Sequence, residues 1–300
     1  MHFDTGIFHR PEDSSFITAL FPHFSDTLYA SADVYISIRA REQISKTVDC
    51  LANHRITPDR RSCMVNWMIE VLSQYEASLQ TFFRAVKIMD KFFQLSPKSI
   101  SSSKLHIIGV TCMFIASKFE DTDPLRLAIV REEIGHGKFS KEAIKKMERK
   151  IVRALEFDVA VPNCNEVFGY LSEIVEVQPA VKRTAEMILV LLQIYYNMQL
   201  LPSQEAVAAF IIAAKSLRQD DDVIKRILLV SGYSEDEVVG LADSIFRELL
   251  LFPDHYGNCQ NAMRFFQFNL ILRVPGPLFE FWDADLSRNQ EQLLGLFNNN

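Results

Sequence analysis

The chain contains one apolar helical pattern twice, and this repetition limits the fold more than any other feature of the sequence. Residues 110–118 and 207–215 align at an offset of 97 residues, and both segments end in lysine. The segments that begin at Ser140 and Ser234 align at an offset of 94 residues, with apolar side chains at matching helical spacings. Two alignments in the same order and at nearly the same offset indicate a duplicated unit of about 95 residues. The sequence therefore predicts two similar helical domains in tandem.

The helices of the first domain have recognisable starts. Thr57 precedes a proline, and Ser78 and Ser140 each precede a run with apolar residues at helical spacing, as N-cap residues do. Only 10 glycines and 11 prolines occur in 300 residues, which favours a helical protein over a turn-rich β fold. We therefore predict an all-α fold with two tandem five-helix domains. The predicted units are an N-terminal segment with a peripheral helix at 1–45, five-helix domains at 46–160 and 161–252, and a C-terminal extension at 253–300 that includes an amphipathic helix at 263–274.

Composition and motifs argue against several functional classes. The net charge of −6 gives no general attraction to nucleic acid or to an anionic membrane surface. The longest apolar stretches are too short or too polar for a membrane span. The sequence has no glycine-rich phosphate loop, no Cys-x-x-Cys pair and only scattered histidines, so we expect no enzyme activity, no cofactor and no metal. Five widely spaced cysteines fit a reducing compartment, and we expect a protein of the nucleus or cytoplasm.

Two charged residues occupy unusual places in the helical pattern. Lys118 ends the most apolar helix of the chain, where a cation is favoured by roughly 0.3–1 kcal/mol. Glu148 lies among basic residues of the helix at 140–157, so an ion pair one turn away explains it equally well. A binding role is the other interpretation of both residues, and the pattern alone leaves the two open. The helix at 140–157 also carries six basic residues. These suit a solvent-exposed face better than a phosphate-binding one, because no aromatic residues alternate with them.

Three separated motifs resemble the cyclin box, in the order in which cyclins carry them. They are Arg61–Val71, Leu105–Asp121 and Met147–Pro162. The similarity continues into the second predicted domain. On this resemblance the chain is identified as a member of the cyclins, the regulatory subunits of cyclin-dependent kinases. The resemblance implies the cyclin fold, with two stacked five-helix domains, in agreement with the internal repeat.

The resemblance also assigns roles to individual residues. In cyclins, the lysine and glutamate that match Lys118 and Glu148 hydrogen-bond the regulatory helix of the kinase within an apolar surround. Carried over to this sequence, the surround consists of Ile115, Phe119, Val152, Phe157 and Val159. We expect the two charges to lie close together on one face. The implied function is allosteric activation of a serine/threonine protein kinase in cell-cycle control, without chemistry by the chain itself. The alternative is an adaptor of the general-transcription-factor or pocket-protein type, which shares the repeat and binds DNA or peptides.

The first motif implies a second binding surface. In many cyclins it forms a shallow apolar groove that docks substrates and inhibitors carrying an Arg-x-Leu sequence. The matching residues are Arg61, Met64, Trp67, Glu70 and His106, the last at a position where glutamine is usual. Arg60 and Cys63 replace a methionine and an isoleucine, and the Arg60 guanidinium would repel an incoming arginine.

The motifs that distinguish cyclin subtypes match mitotic cyclins in part and D-type cyclins in part. The Arg-x-x-Leu tetrapeptide at 226–229 lies inside a predicted helix, so we expect no destruction signal there.

Overall fold

The computed structural model describes residues 27–46, 48–195 and 200–262, and the regular structure within them is helical. The α-helices are α1 (Thr27–Ser45), α2 (Pro58–Gln74), α3 (Leu79–Leu95), α4 (Leu105–Glu120), α5 (Leu127–Ile129), α6 (Lys141–Ala154), α7 (Cys164–Ile174), α8 (Pro179–Ile194), α9 (Pro202–Ser216), α10 (Asp221–Ser231), α11 (Glu235–Leu250) and α12 (Phe252–Tyr256). A 3-10 turn at Ser102–Lys104 leads into α4, and a π-helical turn at Val130–Ile134 continues α5. The prediction of an all-α fold is confirmed. The helix predicted at 263–274 lies outside the described residues.

Three helices of the first half begin at the predicted N-cap residues. Thr57 accepts a hydrogen bond from the backbone N–H of Arg60, and Pro58 occupies the first helical position of α2. Ser78 and Ser140 cap α3 and α6 in the same way, each accepting from the N–H three residues later. These side chains supply acceptors to N–H groups that a helix start leaves without a partner. The local sequence thus fixes where α2, α3 and α6 begin.

The duplicated pattern corresponds to equivalent helices of two five-helix sets. One motif lies on α4 and its repeat on α9, and most residues of both helices are buried. The other motif lies on α6 and its repeat on α11, which are capped by Ser140 and Ser234. Helices α2–α6 precede the linker at 160–162 and helices α7–α11 follow it. The exact domain boundaries at 160 and 252 stay predictions.

Helix α1 packs with one side against the second set. The Tyr35 hydroxyl donates to the Ser231 carbonyl oxygen at 2.9 Å, and its ring stacks on Tyr170 at a centroid distance of 4.4 Å. The Glu42 carboxylate is buried and accepts hydrogen bonds from both the N–H and the hydroxyl of Ser203. The opposite side of the helix, with Val34, is exposed. The predicted peripheral helix is therefore anchored by buried polar contacts.

Buried polar groups join the two sets. Arg61 of α2 pairs with Asp90 of α3 at 2.8 Å and donates to the carbonyl oxygen of Gln193, near the end of α8, at 2.9 Å. Ser62 donates to the carbonyl oxygen of Ile194 at 2.7 Å. These donors satisfy carbonyls that a helix end leaves without intrahelical partners. Helix α2 of the first set thus caps a helix of the second.

Candidate functional site

Lys118 and Glu148 form an ion pair between the last turn of α4 and the middle of α6. Their side chains are 38% and 23% exposed, so the pair is reachable from outside. The ammonium of Lys118 also lies 4.2 Å from the centroid of the Phe114 ring. The structure therefore brings together the two charges that the sequence analysis singled out. It explains Glu148 by a partner on another helix rather than by an ion pair within α6.

The two aromatic side chains that the resemblance assigns to the surround of this pair are both turned outward. Phe119 is 50% exposed and Phe157 is 72% exposed, while Val152 and Val159 are half-buried. We call Lys118, Glu148 and these four apolar residues the Lys118–Glu148 surface. Large apolar side chains around a charged pair exclude water from it when a partner binds, which strengthens each hydrogen bond made there.

Ile115 was predicted to belong to this surround, and the structure corrects that prediction. The side chain is only 5% exposed and packs in the core beneath the surface. Helix α4 is apolar on nearly all sides, so helical periodicity does not indicate which of its residues face outward. Ile115 supports the surface from behind.

Phe157 has an unusual backbone conformation. Its φ is +65°, and that of Glu156 before it is +51°. The N–H of Phe157 donates to the carbonyl oxygen of Val152 at 2.9 Å, which closes the end of α6. A left-handed conformation costs a residue with a side chain about 1–2 kcal/mol, and the exposed ring gains little burial in return. Strained residues occur preferentially at functional sites, and Phe157 belongs to the predicted kinase-binding set.

Arg84 of α3 holds the end of α4 in place, and it was not among the predicted site residues. Its buried guanidinium pairs with Glu120 at 2.6 Å, pairs with Glu166 at the start of α7, and donates to the carbonyl oxygen of Val161. The guanidinium carbon also lies 5.1 Å from the centroid of the Phe119 ring. One residue thus ties α4, the linker and α7 together directly behind the Lys118–Glu148 surface. The sequence did offer one signal for Arg84, which is a charged residue within a predicted apolar helix. The structure shows that most residues of this helix are buried.

An open cleft of about 780 Å³ lies next to this surface, between α1 and α7. Val34 and Ile38 line it from α1, and Tyr170 lines it from α7. At its edge Arg41 pairs with both carboxylate oxygens of Asp158, at 2.9 and 2.7 Å. Asp158 directly follows the exposed Phe157, so the cleft extends the apolar surface toward the N-terminal helix.

Four of the five predicted groove residues lie together. Met64, Trp67 and Glu70 are on one side of α2, and His106 at the start of α4 meets the Trp67 ring at a centroid distance of 5.2 Å. Burial lowers the pKa of His106, and the nearby Lys138 and His136 lower it further. The structure corrects the prediction that Arg61 lines the groove, because Arg61 is 3% exposed and its guanidinium points inward to Asp90. Arg61 is a core residue and does not line the groove.

Two further findings concern the described residues. No group of three or more His, Cys, Asp or Glu side chains there could hold a metal ion. None of the helices in that part of the chain is long and apolar enough to cross a membrane.

Comparison with known proteins places the first set of helices in a sequence family. Residues 33–160 match the family model described as the cyclin N-terminal domain. The chain is 28% identical over 253 residues to the G2/mitotic-specific cyclin-B of Hydra viridissima, which covers 81% of this chain and 62% of the relative. It is 26% identical over 220 residues to the G2/mitotic-specific cyclin-B1 of Xenopus laevis, covering 73% and 54%. It is 32% identical over 160 residues to cyclin-A2 of the same frog, covering 53% and 38%.

The chain matches only part of the length of each of these relatives. The aligned region spans about 60% of the Hydra viridissima protein. Among solved structures, a viral cyclin from herpesvirus saimiri superimposes with a TM-score of 0.55 at 16% sequence identity. That alignment covers 66% of this chain and 96% of the viral one. At this identity the likeness shows the fold alone, in agreement with the predicted all-α cyclin fold.

Proposed function

Because this chain is a cyclin-box protein, we propose that it binds a cyclin-dependent serine/threonine protein kinase through the Lys118–Glu148 surface and activates it. The observation that carries the proposal is the partly exposed Lys118–Glu148 pair, together with the exposed rings of Phe119, the next residue after Lys118, and of Phe157, just after α6. Exposed aromatic side chains near a charged pair, one of them in a strained backbone, are typical of a surface that a partner covers.

The pair is suited to fix the orientation of a partner helix. Lys118 has three N–H donors and Glu148 two acceptor oxygens, so each retains hydrogen-bonding capacity after pairing with the other. The pair as a whole is neutral, which reduces the cost of removing it from water when the interface forms. The exposed rings of Phe119 and Phe157 supply apolar area, and the charges determine the position at which the partner binds.

The mechanism we propose is allosteric, and the chain performs no chemistry. A kinase needs its own Lys–Glu ion pair and its activation loop in the active arrangement before it transfers phosphate. A surface that packs against the regulatory helix of the active kinase, and less well against that of the inactive one, shifts the kinase population toward activity. The buried Arg84 supports this role because it holds α4, the linker and α7 in one fixed arrangement behind the surface.

A capture experiment tests the proposal. The tagged full chain is incubated with a lysate of dividing cells, the captured proteins are identified by mass spectrometry, and phosphate transfer to a serine/threonine peptide is measured. We expect a cyclin-dependent kinase and peptide phosphorylation with the wild-type chain, and neither with Lys118→Ala/Glu148→Ala. Absence of a kinase from the wild-type capture, or equal capture by the double variant, would contradict the proposal.

A further inference from the structure

One exposed and one buried thiol lie where the chain after α12 packs on α2. All five cysteines of the chain are among the described residues, and none of them is in a disulfide. Cys63 of α2 is exposed, and the other four cysteines are buried. Cys259, which follows α12, is only 2% exposed. The thiol of Cys63 is therefore open to solvent, whereas that of Cys259 is enclosed by protein.

Hydrogen bonds hold the segment after α12 against α2. The backbone N–H of Ala262 donates to the Asn66 side-chain oxygen at 3.1 Å. The side-chain amide of Asn261 donates to the Glu70 carboxylate at 2.9 Å. Asn66 and Glu70 come three and seven positions after Cys63, so the three side chains lie on one face of the helix. The face of α2 that carries Cys63 thus receives the segment after α12.

The two thiols are near enough for one to affect the titration of the other. Burial, and after it the neighbouring Cys63, raise the pKa of the Cys259 thiol to about 12. Cys259 is therefore a protonated thiol at neutral pH. Since the thiolate is the reactive form of cysteine, Cys259 does not react first with an oxidant. The exposed Cys63 is the sulfur that an oxidant reaches.

We propose that Cys63 and Cys259 form a reversible disulfide when the protein meets a peroxide. The Cys63 sulfur attacks the peroxide, the O–O bond breaks, and the products are a sulfenic acid and an alcohol, or water when the oxidant is hydrogen peroxide. The Cys259 sulfur then attacks the sulfenic acid sulfur. The S–O bond breaks, and the leaving hydroxide takes the thiol proton and departs as water. Two thiols thus lose two electrons and two protons, and the peroxide is reduced. Free thiols reverse the reaction by exchange.

The bridge would add a covalent connection where α2 already joins the two sets of helices. Arg61 and Ser62, the two residues before Cys63, donate to carbonyl oxygens at the end of α8. The loop that the bridge closes runs from α2 to the segment after α12. A disulfide that closes a long loop stabilises a protein mainly by restricting the unfolded chain. The oxidised protein is therefore more resistant to unfolding than the reduced protein, and this inference does not depend on kinase binding.

Peptide mapping tests the proposal in the full chain. Trypsin cleaves after lysine and arginine, which places the five cysteines in five different peptides, with Cys63 in residues 62–84 and Cys259 in residues 248–264. The reduced chain is treated with hydrogen peroxide at low protein concentration, the remaining thiols are blocked, and the digest is analysed by mass spectrometry without reduction. We expect these two peptides to be joined, the chain to stay monomeric on a non-reducing gel, and dithiothreitol to separate the peptides.

Matched variants identify the role of each cysteine. In Cys259→Ala, Cys63 has no partner thiol and should proceed to the sulfinic acid at peroxide concentrations at which the wild type forms the bridge. Cys50→Ala is the control, since it removes another buried cysteine and should leave the bridge intact. Oxidation should raise the melting temperature of the wild-type chain by roughly 5–15 °C, and it should not raise that of Cys259→Ala.

Three outcomes would overturn the proposal. The first is that Cys63 of the wild type remains a thiol, or becomes a sulfinic acid, without forming the bridge. The second is a bridge between two copies of the chain, seen as a covalent dimer. The third is a bridged chain whose melting temperature is not raised, which means that the native fold must distort to bring the two sulfurs together. All three are measured on the wild-type chain, so they do not depend on the folding of a variant.

Discussion

The Arg84 guanidinium lies 2.6 Å from the Glu120 carboxylate, where α3 meets the last turn of α4. This contact is behind the Lys118–Glu148 surface, and the same guanidinium continues to Glu166 of α7. The arginine side chain is buried, while both carboxylates are only partly exposed. The position of the surface therefore depends on one buried cation with two anionic partners.

Arg84→Met should destabilise the protein by about 3–5 kcal/mol, because it leaves two carboxylates with no cation in a largely buried site. The free energy of unfolding from urea titration measures this loss. The matched control is Arg131→Met, since Arg131 pairs with Glu132 in a largely exposed position and such a pair contributes about 0–1 kcal/mol. Equal stability losses for the two variants would show that Arg84 is not the anchor described above.

Asp121 gives the joint between α3 and α4 a dependence on acid. Burial alone would raise the pKa of this carboxyl, but hydrogen bonds from Thr81, Ser78 and Ser117 outweigh it and hold the pKa below its ordinary value. A lowered folded-state pKa stabilises the protein above the unfolded-state pKa of about 3.9, and this stabilisation is lost as the pH falls through the folded-state value.

We therefore expect Asp121→Asn to be less stable than wild type at about pH 7, with a difference that shrinks as the pH is lowered below about 4. Denaturation midpoints of the wild type and of Asp121→Asn, measured from about pH 7 to about pH 3, test this expectation. A difference of constant size down to about pH 3 would mean that the Asp121 charge does not contribute to stability.

Phe157→Asn separates stability from binding. Asparagine tolerates the left-handed backbone better than phenylalanine does, and the exposed ring contributes little to the core. We expect the free energy of unfolding to stay equal or rise by up to about 1 kcal/mol, while capture of the kinase weakens. Leu229→Asn is the control, since it removes another exposed apolar side chain, from α10, and should not affect capture. A clear loss of stability in Phe157→Asn, or unchanged capture, would contradict this account.

Local features of the fold were predictable from the sequence. The N-cap residues Thr57, Ser78 and Ser140 and the repeated apolar patterns are short-range signals, and the helices begin where these signals predict. The juxtaposition of Lys118 and Glu148 needed the family resemblance, since 30 residues separate them and no local pattern links α4 to α6.

Burial of charged and all-apolar segments was not predictable in the same way. Arg60 and Arg61 are neighbours in the sequence, yet the first is exposed and the second meets an aspartate 29 residues away in the core. Ile115 was misplaced because α4 has no polar side to define its inner face. The backbone of Phe157 depends on how α6 ends, which the side-chain pattern does not indicate.

The most direct test of the central claim is kinase activation by Lys118→Ala/Glu148→Ala, measured with the purified kinase at limiting cyclin concentration. We predict an unchanged melting temperature, because a partly exposed ion pair contributes at most about 1 kcal/mol, and an affinity roughly 30- to 5,000-fold weaker, because the pair is desolvated in the complex. The control is Lys215→Ala/Asp221→Ala, which removes the ion pair of the repeat-equivalent lysine on α9 and should activate normally. If the Lys118→Ala/Glu148→Ala variant melts normally and activates the kinase as well as wild type, the assignment of this surface is wrong.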